Sequence, residues 1–175
     1  MKRPEPTEYA EFYANYISKV PGNDVLGILE AQRVQMLQLF AGRSERDGGF
    51  RYAPGKWTVK ETLGHVNDTE RIFNYRALRI ARGDQTPLPG FEQDDFVRNG
   101  AFGERTLAGL AEEFAAVRNA SLALFRSFAE EVWGRRGVAS QKEVTVRALA
   151  FITAGHAMHH RAILEERYFP AIPRA

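Results

Sequence analysis

The sequence predicts an all-α protein: a four-helix bundle with a long crossover loop between its second and third helices. Three observations carry this. Four long segments place apolar residues at helical spacing, Pro and Gly cluster between those segments, and no convincing strand alternation interrupts them.

The first long helix is expected over about Asp24–Ala41, where Val25, Ile28, Leu29, Met36, Leu39 and Phe40 recur at helical steps. Asn23 is its expected N-cap, and a short helix near Glu8–Ser18 is expected to precede it. The second opens on Thr58-Val59-Lys60-Glu61, the pattern of a capping box, and runs to Arg82 before Gly83. Val59, Leu63, Val66, Phe73, Ala77 and Ile80 form its apolar stripe. The third begins near Thr106; Leu107, Leu110, Phe114, Val117, Ser121, Leu124 and Phe128 alternate steps of three and four, a seam suited to a bundle. The fourth is expected to open on a second capping box, Ser140-Gln141-Lys142-Glu143, and to reach Tyr168, with Leu149, Ile152, His156 and Ile163 on one face. Phe151, Met158 and Ala162 lie off that face. So wide an apolar surface predicts a buried partner helix or a dimer contact. The connection from Gly83 to Arg105 is long for a compact domain. It is expected either to cover a site, with Asp94 or Asp95 nearby, or to plug the bundle with Phe91 and Phe96.

Composition bounds the function. A chain of 175 residues, 44% hydrophobic, fits a single domain over residues 1–175 with one substantial core. The absence of Cys excludes thiol catalysis by the protein, disulfides and Cys-type metal sites. No apolar run approaches the ~20 residues of a membrane span, and residues 1–12 lack the apolar segment of a signal peptide. A cytoplasmic protein with no membrane partner is the expectation. The net charge is +2, and the basic residues, mostly Arg, are interspersed with Glu rather than gathered in a block. That argues against nucleic acid as a partner.

The four histidines carry the functional signal. His65 lies early in the second helix; His156, His159 and His160 lie together in the fourth. At ~100° per residue, His156 and His160 stand one turn apart on one face, the spacing at which two imidazoles bind one divalent ion. His156 and His159, at i,i+3, are a second possible pair, and spacing prefers His160 only slightly. His65 can meet such a pair across facing helices, which is how bundles build metal sites. The same cluster also suits a proton relay or a phosphate contact. Glu61 and Asp68 each lie about a turn from His65, as cap or supporting residues more than as ligands. Three neutral ligands without thiolate suit Zn, Ni, Fe or Co alike and leave at least one coordination position open.

These residues resemble the DinB/YfiT-like superfamily of metal-dependent enzymes. The likeness rests on Pro54 through Glu70, with its Trp57, Glu61 and His65, then Gly83 through Phe91, then Gly155-His156-Ala157-Met158-His159-His160, and spans about residues 24 to 168. It implies an up-down-down-up bundle, often a homodimer. It also implies a divalent metal, most often nickel or zinc with iron, cobalt or manganese as alternatives, held by His65, His156 and His160. His159 becomes a neighbour of the site. Members of related fold include hydrolases and low-molecular-weight thiol transferases. The resemblance therefore implies a metal-dependent hydrolase or thiol-dependent transferase acting on a small-molecule substrate, with a small thiol as a second cofactor. Asp68, Glu61 and His159 are the candidates to orient a ligand or move a proton. The competing expectation is a non-catalytic, stress-associated dimer that binds a metal or ligand.

Overall fold

The structure is a computed structural model that describes residues 2–172. Two 3-10 turns, Pro6–Glu8 and Glu11–Tyr13, lead into α1 (Ala14–Lys19). There follow α2 (Val25–Phe40), the single turn α3 (Glu45–Gly48), α4 (Val59–Ala81), α5 (Gln93–Asn99) and α6 (Leu107–Arg126). A hairpin of β1 (Arg136–Ala139) and β2 (Lys142–Thr145) precedes α7 (Val146–Ile163), which continues as a π-helical turn over Leu164–Tyr168.

The bundle is formed by α2, α4, α6 and α7. Its directions follow from side-chain pairings along the helices. Gln32 bonds the Ala154 carbonyl and Arg161 bonds Gln35, so α2 and α7 run parallel. Asn67 bonds the Leu110 carbonyl and Asn74 bonds Ser121, so α4 and α6 run parallel. Arg118 meets Gln32 whereas Arg126 meets Glu30, so α2 and α6 are antiparallel. The order is up-down-down-up. Two helices in sequence must then point the same way, and the Gly83–Arg105 connection is long because it returns the chain along the bundle.

Local chemistry explains the element boundaries. The Thr58 hydroxyl accepts from the Glu61 N–H at 3.1 Å and the Glu61 carboxylate accepts from the Thr58 N–H at 2.6 Å, the capping box read from sequence. The cap of α2 is Asp24 rather than Asn23; its carboxylate accepts from the Gly27 N–H at 3.0 Å. The second expected capping box is absent. Ser140 and Gln141, at φ 51° and 64°, form a two-residue hairpin turn of type I′. Helix α7 instead starts five residues later, where the Thr145 hydroxyl accepts from the Ala148 N–H at 3.0 Å. The expectation of no strand therefore fails locally. The crossover joins the hairpin at one point: the Leu88 N–H bonds the Val138 carbonyl and the Leu88 carbonyl accepts from Ser140 N–H. Buried Arg76 fixes the junction through the Pro89 carbonyl at 2.8 Å and the Ser140 hydroxyl at 3.0 Å.

The crossover contains α5, which the sequence reading missed. Its bundle plugs are Leu88, Val97 and Phe102, all buried; Phe96 is exposed and packs on Phe91 at 5.1 Å between ring centroids. The extra apolar face of α7 is covered by α1 of the same chain, and Phe151 is fully buried. A second copy is not needed to cover it.

The core falls into two apolar clusters. One gathers Leu29, Phe73, Phe125, Phe151 and Ile152 near the hairpin; the other gathers Met36, Leu63, Phe102, Phe114 and Leu164 at the opposite end. Between them lies a polar layer. Arg118 and Glu70 are buried and joined by two bonds of 2.7 and 2.8 Å, and Arg118 also donates to Gln32 and to the Leu29 carbonyl. Ser121 donates to Glu70 at 2.5 Å. The histidines occupy this layer on the α4–α7 side.

Candidate metal centre

Helices α4 and α7 run antiparallel, so the early histidine of one meets the late histidines of the other. His65, His156 and His160 are all buried, and each offers a ring nitrogen, all of these atoms lying within 4.8 Å of one another. Nε2 of His65 lies 3.1 Å from Nε2 of His156. At metal–nitrogen distances of about 2.1 Å, neighbouring ligands stand about 3.0 Å apart in octahedral and about 3.4 Å apart in tetrahedral coordination. The His65–His156 separation lies between these values, as for two ligands of one ion, and His160 completes a set whose donors lie within 4.8 Å of one another. The Thr69 hydroxyl stands 3.4 Å from Nδ1 of His65, on the ring edge away from the cluster, as a supporting partner would.

Electrostatics favour the same reading. Burial pushes His65 down to about 4, with His159 adding to the shift and Asp94 opposing it. Burial also holds His156 and His160 well below the ordinary histidine value, and each is pushed further by its histidine neighbours. All three rings are neutral near pH 7. Neutral imidazole with a free lone pair is the form a metal requires.

Two clefts reach the cluster from different sides. One, of about 330 Å³, runs between Trp57, Tyr52, Tyr168 and Asp94 and ends on His160. The other, of about 90 Å³, is walled by Tyr16, Phe73 and Phe91 and ends on His65 and His156. The second exists because α1 lies tightly on α7. A Cβ on Gly155 would strike the Tyr16 backbone, so glycine allows the contact that brings the Tyr16 ring 5.4 Å from both His156 and His159.

The other sequence candidates separate. Glu61 is committed to the capping box. Asp68 faces a different cleft, with Asp95, Phe96 and Asn99, and pairs with Arg71 at 3.4 Å. His159 is half-buried beside His160, ring centroids 5.1 Å apart, and is not one of the three clustered donors. Asp94, expected only as a neighbour, lines the larger cleft with His160. Sequence reasoning missed the parts of Tyr16, Trp57, Thr69 and Tyr168. Trp57 and Thr69 stand in the motif around His65, and Trp57 packs on that ring at 4.8 Å. Tyr16 lies far from every histidine in sequence, and nothing local marks it.

The sequence profile of the DinB superfamily matches residues 28–164. The chain belongs to the DinB superfamily. No curated protein matches it. Among solved structures, this DinB chain is similar to YfiT from Bacillus subtilis, described as a probable metal-dependent hydrolase with an unusual four-helix bundle topology. The TM-score is 0.70 at 17% identity, covering 94% of this chain and 90% of YfiT. It is also similar to the mycothiol-dependent maleylpyruvate isomerase, with a TM-score of 0.66 at 12% identity, covering 83% of this chain and 61% of the isomerase. At these identities the likeness establishes the DinB bundle and not an activity. Among the described residues, no helix is long and apolar enough to cross a membrane.

Proposed function

We propose that this chain is a single-domain metal-dependent enzyme that uses His65, His156 and His160 to hold one divalent ion, zinc or nickel first among the alternatives. The observation that carries the reading is the convergence of three buried, neutral imidazoles at the ends of two clefts. An ion bound there supplies Lewis acidity toward a water or a small thiol. Hydrolysis and thiol-dependent transfer are the reaction classes this chemistry serves; the likeness to YfiT, a probable metal-dependent hydrolase, supports the first, and the mycothiol dependence of the isomerase supports the use of a thiol.

The chain's own residues do the rest. Thr69 and Trp57 hold the His65 ring, and Tyr16 packs edge-on against His156. Tyr16 and Phe73 wall the smaller cleft with aromatic surface. His159 and Asp94 are our candidates to hold or move a proton, on the ring contact of one with His160 and the shared cleft of the other. Glu61 contributes by capping the helix that carries His65.

The test pairs metal content with turnover across a panel of activated esters and thiol acceptors. Loss of both on His156→Ala is the expected result. Full retention of the ion by that variant overturns the three-histidine site. Stoichiometric metal with no turnover anywhere on the panel favours a non-catalytic binding protein.

A further inference from the structure

The larger cleft has a chemical character of its own. Its aromatic wall is held by specific contacts: Tyr52 and Tyr168 meet edge-on at 4.7 Å between centroids, and the Tyr168 hydroxyl donates to the Trp57 carbonyl at 2.7 Å. The Thr62 hydroxyl, which donates to the Thr58 carbonyl at 2.9 Å, lies 3.4 Å from the same phenol oxygen. Burial pushes the Tyr168 phenol up, so this wall stays uncharged. A preformed surface of Trp, Tyr and Ile163 suits a planar apolar group. A volume of about 330 Å³ admits only a small molecule.

The charges around this wall are unequal in their commitments. Lys56 lines the cleft, and its ammonium group has no acceptor among the described residues. Arg51 precedes Tyr52, and Arg167 stands 6.0 Å from the centre of the Tyr52 ring; neither pairs with a carboxylate among the described residues. Of the nearby carboxylates, Glu61 is engaged at the Thr58 cap. Asp94 also lines the cleft, makes no ion pair with Lys56, and lies near enough to His65 to act on that ring. At the floor, three neutral imidazoles would not neutralise a divalent ion, and the single nearby carboxylate of Asp94 would offset only part of its charge. An acid group is therefore attracted by Lys56 and by an ion at the floor, and is opposed by Asp94.

We propose that the Trp57–Tyr168 cleft binds a small carboxylate carrying a planar apolar group, with the acid drawn to Lys56 and the ring laid on the aromatic wall. The proposal deepens the metal-enzyme reading, on which it rests for the charge at the floor but not for Lys56 or the wall.

Binding is readable without turnover. The chain has two tryptophans, and Trp133 is buried in the other core cluster. In a Trp133→Phe background, Trp57 alone reports on the cleft. Phenylacetate, its neutral amide phenylacetamide, and acetate are titrated against this protein with and without equimolar Zn²⁺, with bound metal assayed on the same samples. Saturable quenching by phenylacetate is expected, with phenylacetamide and acetate each at least about tenfold weaker. Lys56→Gln is expected to weaken phenylacetate about tenfold and leave phenylacetamide unchanged. Equal affinity for acid and amide, or no effect of Lys56→Gln, overturns the proposal. A protein that holds zinc but shows no acid preference loses this assignment and keeps the metal site. One that prefers the acid through Lys56 yet holds no zinc keeps this assignment and loses the metal site.

Discussion

The carbonyl oxygen of Tyr16 occupies the space that a β-carbon on Gly155 would need. Helix propensity alone favours Gly155→Ala by about 1 kcal/mol. The contact predicts the opposite: α1 must move, at a cost of about 1–3 kcal/mol, and Tyr16 leaves the His156 ring. Thermal or denaturant unfolding measures the sign, and a stabilised Gly155→Ala contradicts the contact.

Glu8 secures the same N-terminal segment. It accepts from the Thr145 hydroxyl at 2.8 Å and from Arg147 at 2.5 and 3.1 Å, which ties it to the first turn of α7. Burial raises its carboxyl, but the bonds from Arg147, Thr145 and the Glu5 backbone outweigh burial, and the net shift is downward. A lowered native pKa means that the unfolded chain binds the proton more tightly. The stability contributed is then full above the unfolded value of about 4.3 and is lost as pH falls through the native one. Glu8→Gln is expected to cost about 1–3 kcal/mol near neutrality, with the gap to wild type closing on acidification. A gap independent of pH contradicts this account.

Arg118 and Glu70 form an ion pair with side chains 0% and 2% exposed. Removing one partner strands a buried charge, so Arg118→Met is expected to destabilise by about 3–5 kcal/mol. The double variant Arg118→Met/Glu70→Leu is expected to recover part of that loss. Equal destabilisation by the single and double variants in urea unfolding contradicts the pair as the source.

Gln141 holds φ 64° in the hairpin turn, where glycine fits without strain. Gln141→Gly is expected to stabilise by about 0.5–1 kcal/mol. Ser140 is left unchanged because its hydroxyl accepts from Arg76. Loss of stability in this variant contradicts the turn assignment.

Much of the bundle was legible in sequence because its signals are local. The Thr58 capping box, the α4 stripe and the α6 seam each need only a few neighbouring residues to be read. The hairpin was hidden because Ser140 and Glu143 imitate a cap, while the strands are too short to alternate visibly. Helix α5 was hidden by its length of seven residues. At the site, the spacing of His156 and His160 was readable, but their preference over His159 was not, since it depends on where α4 lies. The Arg118–Glu70 layer and the approach of Tyr16 are tertiary. Each joins groups distant in sequence, and neither leaves a periodic trace.

The central claim is that three histidines on two helices hold one metal ion. Its most direct test is metal content by plasma mass spectrometry on untagged wild type and His65→Ala, each after incubation with Zn²⁺ or Ni²⁺ and desalting. The account predicts close to one ion per chain in wild type and loss of it in the variant. No ion in wild type, or equal retention by both proteins, would contradict it.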